Sequence, residues 1–358
     1  MESSESDLPA IECRNVWKIF GKRSDEALTA IKRKGLSKQQ VHQEFDCVVG
    51  VADASFSVRR GEIFCIMGLS GSGKSTLVRH INRLIEPSDG QILVDGESIG
   101  DLDAEALRRV RAEKIGMVFQ HTALLPHLTV RENVALGLEL RHVDKEKRLK
   151  IADQKLAQVH LCGWEDRMPS ELSGGMQQRV GLARAMAADP QVLLMDEPFS
   201  ALDPLIRRQL QDQFLELAEQ MHKTTLFITH DLEEAIRIGH RIAMMKDGQI
   251  VQIGTPEEII VNPVDDYVAE FVQGISRLKL VYAHTVMEPL ESFHQTNNGQ
   301  SPQLDACPTA SPEADLNELI NLAVNTELPT LIKQDGVPVG VVTKTHLLRG
   351  LQGGECHV

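Results

Sequence analysis

The sequence predicts an α/β fold: a core with strands buried on both faces, an inserted helical subdomain, and a smaller α/β domain after a linker. Three observations predict it. Short, nearly continuous apolar runs such as Glu62 to Met67 (E-I-F-C-I-M) read as strands buried on both faces. A Gly-rich loop and then a helical pattern follow that run directly. Aromatic residues are only 4% while Val, Ile and Leu dominate, which suits a mixed α/β core better than a sandwich packed on Trp and Tyr.

In chain order, Ile11 to Phe20 reads as a strand, and residues 22–46 as a helical hairpin inserted before the next one. Ser24 followed by acids is expected to cap the first helix, Gly35 to end it and Ser37 to cap the second. Val48 to Val58 returns to strand, with Arg59 to Gly61 as a turn. Lys114 to Phe119 and Gln191 to Met195 are further buried-type strands. Between them about 130–188 reads as helical, with Trp164 in its core. Thr224 to Thr229 and Arg241 to Met245 supply more strands, and Gln249 to Ile253 pairs across the Lys246-Asp247-Gly248 turn.

A boundary is expected near 277, with 278–312 as linker, because Glu288 to Pro312 is rich in Pro, Ser, Gln and Asn. Beyond it, over 313–358, Leu316, Leu319, Ile320 and Ala323 share a helical face. Leu328 to Ile332 and Val337 to Val342 form a hairpin across Gln334-Asp335-Gly336, and a last helix starts near Thr343. At 358 residues, one large and one small core are expected.

Composition excludes several classes. The net charge of −13 is spread along the chain without a basic face, so nucleic acid is not an expected partner. Six scattered cysteines with no C-x-x-C pair argue against a zinc knuckle or disulfide scaffold and fit a reducing cytoplasm. Met1 to Pro9 is acidic and Ser-rich, unlike a signal peptide. No run of 18 apolar residues occurs, so a membrane process would need its membrane domain from another chain.

The chemistry is concentrated in phosphate-handling motifs. Gly68, Leu69, Ser70, Gly71, Ser72, Gly73, Lys74, Ser75 and Thr76 match G-x-x-x-x-G-K-[ST] between a strand and a helix. Glycines let backbone N–H groups converge on phosphates, Lys74 brings a charge to the β and γ positions, and Ser75 offers a Mg²⁺ ligand. Val192 to Glu197 (V-L-L-M-D-E) is an apolar strand ending in two carboxylates. Asp196 would help hold Mg²⁺, and Glu197 would polarise the attacking water. The plainer alternative is a strand running into an acidic turn.

Leu172-Ser173-Gly174-Gly175-Met176 opens a helix and resembles the L-S-G-G-Q signature of ABC ATPases. Met176 departs from the usual Gln, while Ser173, Gly174 and Gly175 are intact. The resemblance implies a P-loop ABC cassette with ATP and Mg²⁺ as cofactors. It also implies a dimer in which the signature of one subunit closes on ATP held by a second copy. Three further matches fall in order: Gln120 as the Q-loop residue, which senses Mg²⁺ and the γ-phosphate; Ser200 to Asp203 as the D-loop; and His230 as the switch histidine. Phe20 sits where the family stacks an aromatic ring on adenine, with Trp17 close by.

Gln120 to Asn133 is similar to the importer version of the region that docks on the coupling helices of membrane permease subunits. The hairpin at 22–46 and the phrases I-F-C-I-M-G-L-S-G-S-G-K-S-T and R-L-I-E-P-S-D-G look most like the glycine betaine/proline and choline uptake subfamily. That implies an ATPase subunit peripheral on the cytoplasmic face of a membrane, with permease subunits and, indirectly, a solute-binding protein as partners. The alternatives are an importer for another small solute, or a soluble ABC ATPase. The latter would need a coiled-coil insert or second cassette, and neither is in this sequence. A GTPase or small-molecule kinase lacks the L-S-G-G signature. The tail phrase L-P-T-L-I-K-Q-D-G-V-P-V-G-V-V-T-K-T-H-L-L resembles one cystathionine β-synthase (CBS) motif. Such motifs work in pairs, implying a twin in a homodimer and regulation of uptake by ionic strength or a nucleotide. His346 stands where CBS motifs often carry a ribose-binding Asp.

Overall fold

In the computed structural model, residues 8–120, 122–290, 292–293, 307–324 and 326–352 are described. The chain divides into two compact units, Met1–Ile253 and Gly254–Val358.

The first unit begins with β1 (Ile11–Phe20), the hairpin α1 (Ser24–Lys34) and α2 (Lys38–Phe45), and β2 (Val48–Val58). Next come β3 (Ile63–Met67), α3 (Lys74–Ile81), β4 (Asp89–Val94), β5 (Glu97–Ser98), α4 (Ala104–Glu113) and β6 (Ile115–Val118). The helical stretch is α5 (Val130–Leu140), α6 (Lys145–Gln158) and α7 (Gly174–Ala187). The unit then runs through β7 (Val192–Asp196), α8 (Pro204–Met221), β8 (Thr224–Thr229), α9 (Leu232–Ile238), β9 (Arg241–Lys246) and β10 (Gln249–Gly254).

Two sheets organise it: a six-stranded one in the order β10-β9-β3-β8-β7-β6, and a four-stranded one, β2-β1-β4-β5. Strand β3 pairs in parallel with β8 on one side and β9 on the other, while β6, β7 and β8 are also parallel neighbours. All five residues of β3 and all five of β7 are buried, as strands covered on both faces must be. Phe64, Ile66, Leu77, Val78, Leu194, Leu226 and Ile228 join Ile11, Val51 and Phe56 in one core between the sheets. Truncating a fully buried ring such as Phe64 would cost about 3–5 kcal/mol.

The hairpin has its own small core: Ala27 and Val41 meet Ile19, Cys47 and Val49, with Trp17 and Phe45 packed alongside. Ser37 caps α2 in a capping box with Gln40, and Gly35 closes α1 in a left-handed conformation. Ser24 is not the cap of α1. It is the first helical residue, the preceding Arg23 holds the cap position without a side-chain cap bond, and its guanidinium pairs with Glu26 instead. Trp164, expected in a core, is 36% exposed.

The second unit contains α10 (Pro256–Val261), α11 (Asp266–Val272), α12 (Ala283–Val286) and the strands β11 (Glu288–Pro289) and β12 (Thr309–Ala310). These are followed by α13 (Leu316–Val324), β13 (Thr330–Gln334), β14 (Val337–Val342) and α14 (Lys344–Gln352). The sheet order is β11-β14-β13-β12. The division between units therefore falls earlier than the expected boundary at 277, and both ends of the expected linker 278–312 are structured. Glu288 and Pro289 pair with Val341 and Gly340. Phe293 and Cys307 pack with Leu331 and Val341. Pro289 is compatible with a strand because β11 is an edge. The middle of the expected linker, 294–306, lies outside the described residues. His346 is spent locally: its Nδ1 accepts from Thr343 N at 3.3 Å while Thr343 Oγ1 accepts from His346 N. Burial lowers its pKa.

Candidate nucleotide site

Four neighbouring parallel strands, β3, β8, β7 and β6, present their C-terminal ends side by side, where parallel α/β sheets bind ligands. The residues just beyond those ends are Gly68 to Thr76, His230, Glu197 and Gln120, so topology alone gathers motifs scattered over the sequence.

After β3 the chain turns sharply. A Cβ on Gly68 would lie 2.0 Å from Met245 O, and one on Gly73 would lie 2.3 Å from Gly50 O. Neither position tolerates a side chain without moving backbone. Gly73, at φ 104°, starts α3 without any side-chain cap, leaving the first amides of that helix for an anion. Ser72 Oγ is buried with no hydrogen-bond partner, an orphaned donor inside the loop. Leu69 and Ser70 are exposed at the loop's tip.

Lys74 is only 4% exposed, and its Nζ donates to Gly68 O at 2.8 Å and Leu69 O at 3.0 Å. Burial lowers its pKa, against the attraction of Glu197 and Asp196. Its ammonium stands 4.0 Å from Glu197 Oε1. A cation held this way is curled over by its own loop carbonyls, which a polyphosphate would outcompete.

Asp196, 2% exposed, accepts a hydrogen bond from Ser75 Oγ at 2.7 Å on Oδ1 and pairs through Oδ2 with Arg79 Nη2 at 3.3 Å. Ser75 and Asp196 are hard oxygen donors placed together, and Mg²⁺ characteristically takes one or two such groups plus substrate phosphates. The residues present therefore fit the metal.

Glu197 has φ 46°, a left-handed conformation uncommon for a non-glycine residue. Three bonds impose it: Glu197 N to Ile228 O at 3.0 Å, and Ser200 N and Ser200 Oγ onto Glu197 O at 3.3 and 3.0 Å. Such strain costs about 1–3 kcal/mol and persists only where the surroundings enforce it. The carboxylate is thereby turned toward its neighbours. His230 Nδ1 lies 3.0 Å from Glu197 Oε2, and Gln120 Nε2 lies 3.5 Å from both Glu197 Oε2 and Ser200 Oγ. Lys74, Ser75, Asp196, Glu197, Gln120 and His230 thus form one cluster. Arg79 was not foreseen, although it stands one helical turn after Ser75 on the same face, a spacing that points both side chains at β7.

Phe20 ends β1 and is 40% exposed, with Lys18 Nζ 5.2 Å from its ring centroid. Its ring packs over Gly50, whose carbonyl is the group that closes on Gly73, so an exposed aromatic face adjoins the phosphate loop. Trp17 instead packs against the hairpin core.

Two expected site features stand apart from this cluster within the chain. Ser173 caps α7 by accepting from Met176 N, and it and Gly174 are exposed. Asp203 caps α8 by accepting from Ile206 N at 3.1 Å. Among the described residues no hydrogen bond or ion pair links Ser173, Gly174, Gly175 or Asp203 to Lys74 or Glu197.

A second concavity of about 560 Å³ lies beside β6, lined by Met117, Phe119, Leu136 and Leu140 together with Arg108, Arg111 and Arg184. Arg184 is tied to Thr122 O and Ala123 O. Among the described residues no helix is long and apolar enough to cross a membrane.

Known proteins resemble this chain. The model of the family described as ABC transporter matches residues 51–200. The glycine betaine/carnitine transport ATP-binding protein GbuA of Listeria monocytogenes is 41% identical over 98% of this chain and 100% of its own length. The glycine betaine transport ATP-binding protein OpuAA of Bacillus subtilis is 53% identical over 79% of this chain and 67% of its own. ProV of Escherichia coli, a glycine betaine/proline betaine transport system ATP-binding protein, is 52% identical over 74% and 66%. Among solved structures, a dimeric post-hydrolysis state of the ATP-binding cassette MJ0796 bound to ADP and Pi superposes with a TM-score of 0.58. Its sequence identity is 32%, covering 69% of this chain and 98% of that one. A parallel sheet that gathers lysine, carboxylates, glutamine and histidine at one rim, matched along its whole length by such a relative, leaves one assignment: this chain belongs to the ABC transporter ATP-binding proteins.

Proposed function

We propose that this chain hydrolyses ATP to power an importer of quaternary-amine or related osmolyte solutes such as glycine betaine, proline or choline. The observation that carries the hydrolytic part is Glu197, held in a strained turn with His230 at 3.0 Å and Lys74 at 4.0 Å. In this reading Glu197 orients the attacking water and His230 steadies Glu197 and the γ-phosphate. Lys74 and the amides of Gly71 to Thr76 hold the β- and γ-phosphates, and Phe20 stacks on the adenine. Ser75, Asp196 and Gln120 would hold Mg²⁺, which when bound neutralises charge on the phosphate oxygens. The exposed Ser173 and Gly174, with Gly175 and Asp203, complete the site of a second copy across a dimer interface.

The apolar groove beside β6 receives a helix of a permease subunit, which places the chain at the cytoplasmic face of a membrane. Residues up to Ile253 serve as the ATPase domain, and the second unit, to which the described ends of 278–312 belong, acts as a single CBS-like regulatory element. Its exposed Val324, Leu348 and Leu351 suit pairing with a twin. His346, engaged with Thr343, favours an electrostatic or structural role over ribose binding. The solute class is supported by the relatives, which are glycine betaine, carnitine and proline betaine transport proteins.

The test is uptake of labelled glycine betaine, choline and proline by cells whose own copy carries Lys74→Ala, beside cells with the intact protein. Selective loss of one uptake supports both the importer role and its solute. Unchanged uptake of all three overturns the solute class and turns the search to other small solutes.

A further inference from the structure

Arg207 has no role in the reading above, yet it joins two loops of the site. It lies on α8, one turn beyond the Asp203 cap, and is partly buried. Its Nη2 donates to Leu202 O at 3.2 Å, on the loop 200–203, and its Nη1 reaches Asp231 Oδ2 at 3.3 Å. Asp231 directly follows His230. It is itself immobilised, since its Oδ1 accepts from Glu234 N at 3.2 Å to cap α9 and its N–H donates to Thr229 Oγ1 at 3.0 Å.

We propose that the Arg207 guanidinium is the positioning link between the loop 200–203 and His230, so that a displacement of that loop resets the His230–Glu197 contact. The bonds close a ring: Glu197 O to Ser200 Oγ, Leu202 O to Arg207, Arg207 to Asp231, and His230 Nδ1 back to Glu197 Oε2. The helices carrying it are braced behind. Gln211 Nε2 donates to buried Glu234 at 2.9 Å, Arg237 Nη1 to Gln211 Oε1 at 3.4 Å, and Arg237 also pairs with Asp212. With α8 and α9 fixed to each other, movement at one end of the ring has few ways to dissipate except at the other. A guanidinium fork bonds both sides at once, which a lysine ammonium on its flexible stem does not reproduce.

The proposal rests on the hydrolytic roles given to Glu197 and His230, and its test separates the two. Single-turnover ATP hydrolysis and nucleotide KM are measured on the full chain carrying Arg207→Gln, Arg207→Lys, Asp231→Asn and His230→Ala, and on the Arg207→Gln/His230→Ala pair. Expected for Arg207→Gln and Asp231→Asn is a fall in rate of about tenfold with KM changed less than about twofold, and a smaller fall for Arg207→Lys. In the His230→Ala background, Arg207→Gln should slow the reaction no further. Multiplicative losses in the pair, or a KM that rises in step with the loss of rate, would overturn the link. Full turnover by His230→Ala alone would instead remove the parent role of His230. Should Arg207→Gln misfold, as read from loss of fluorescent-nucleotide binding, Asp231→Asn breaks the same link from the other side and decides the matter.

Discussion

The two halves of the phosphate machinery are built in opposite ways. Lys74, Ser75 and Asp196 are buried or half-buried, Lys74 bonded to the carbonyls of its own loop and Ser75 to Asp196, and the strained Glu197 is fixed by three backbone-directed bonds. Ser173 and Gly174, at the open end of α7, are exposed, and Ser173 caps its own helix through Met176 N. The first half is preorganised within one chain, so its electrostatics are in place before nucleotide arrives. The second presents an exposed helix N-terminus, whose amides favour an anion supplied from outside. In the proposed dimer the cost of assembly would fall on the encounter between copies.

That contrast can be broken from the preorganised side first. Lys74→Ala should lower hydrolysis by on the order of 10³-fold or more, while Glu197→Gln should lower it by on the order of 10²-fold or more and leave an ATP-bound dimer on size exclusion. Near-normal turnover by Glu197→Gln would strip it of the water-orienting role. The exposed half is tested by mixing. Lys74→Ala and Ser173→Arg subunits should each be inactive alone, but combined they should recover measurable hydrolysis, because one of the two composite sites then has both Lys74 and Ser173. No recovery on mixing would mean that the signature does not serve a partner's nucleotide.

Phe20→Ala should raise the KM for ATP about tenfold with little change in rate, matching the ~1.5 kcal/mol of an aromatic stack. An unchanged KM would make Phe20 trim at the end of β1. The smallest effect concerns the bracing behind the site. Burial raises the pKa of Glu234, with Asp231 adding to it, against the bonds from Thr229 and Gln211. A carboxyl whose folded pKa lies above its unfolded one contributes stability in full below the unfolded value and loses it as pH rises through the folded value. Glu234→Gln, which does not titrate, should therefore gain on the parent with rising pH, by a Tm difference on the order of 2 °C between pH 4 and pH 7. A constant difference would show that Glu234 is not destabilised by its charge.

Much of the first unit was legible in the sequence because its signals are local. β8 runs over Thr224 to Thr229 as expected, and Gly35 and Ser37 bound their helices through backbone chemistry confined to a few residues. Non-local partners were not legible. Asp89 to Val94 has only Ile92 and Val94 buried, so nothing in its pattern announced a strand that pairs with β1. Arg79 and Arg207 each stand one turn past a motif residue, a spacing open to reading, but the carboxylates they bind lie 117 and 24 residues away. In the tail, composition misled at Pro289, which an edge strand accommodates, and at Phe293, a lone apolar residue among polar ones that packs on Leu331.

The position of β3 in its sheet also bears on biosynthesis. Ile63 to Met67 takes its hydrogen-bonded neighbours from Thr225 to Thr229 on one side and from Arg241 to Met244 on the other. A ribosome adding roughly 5–20 residues per second leaves this apolar strand with both edges open for on the order of ten seconds or more. Throughout that interval the phosphate loop emerges from a strand with neither neighbour in place. The nascent chain is then most exposed to wrong pairing, and a holding chaperone has most to protect, before any nucleotide can stabilise it.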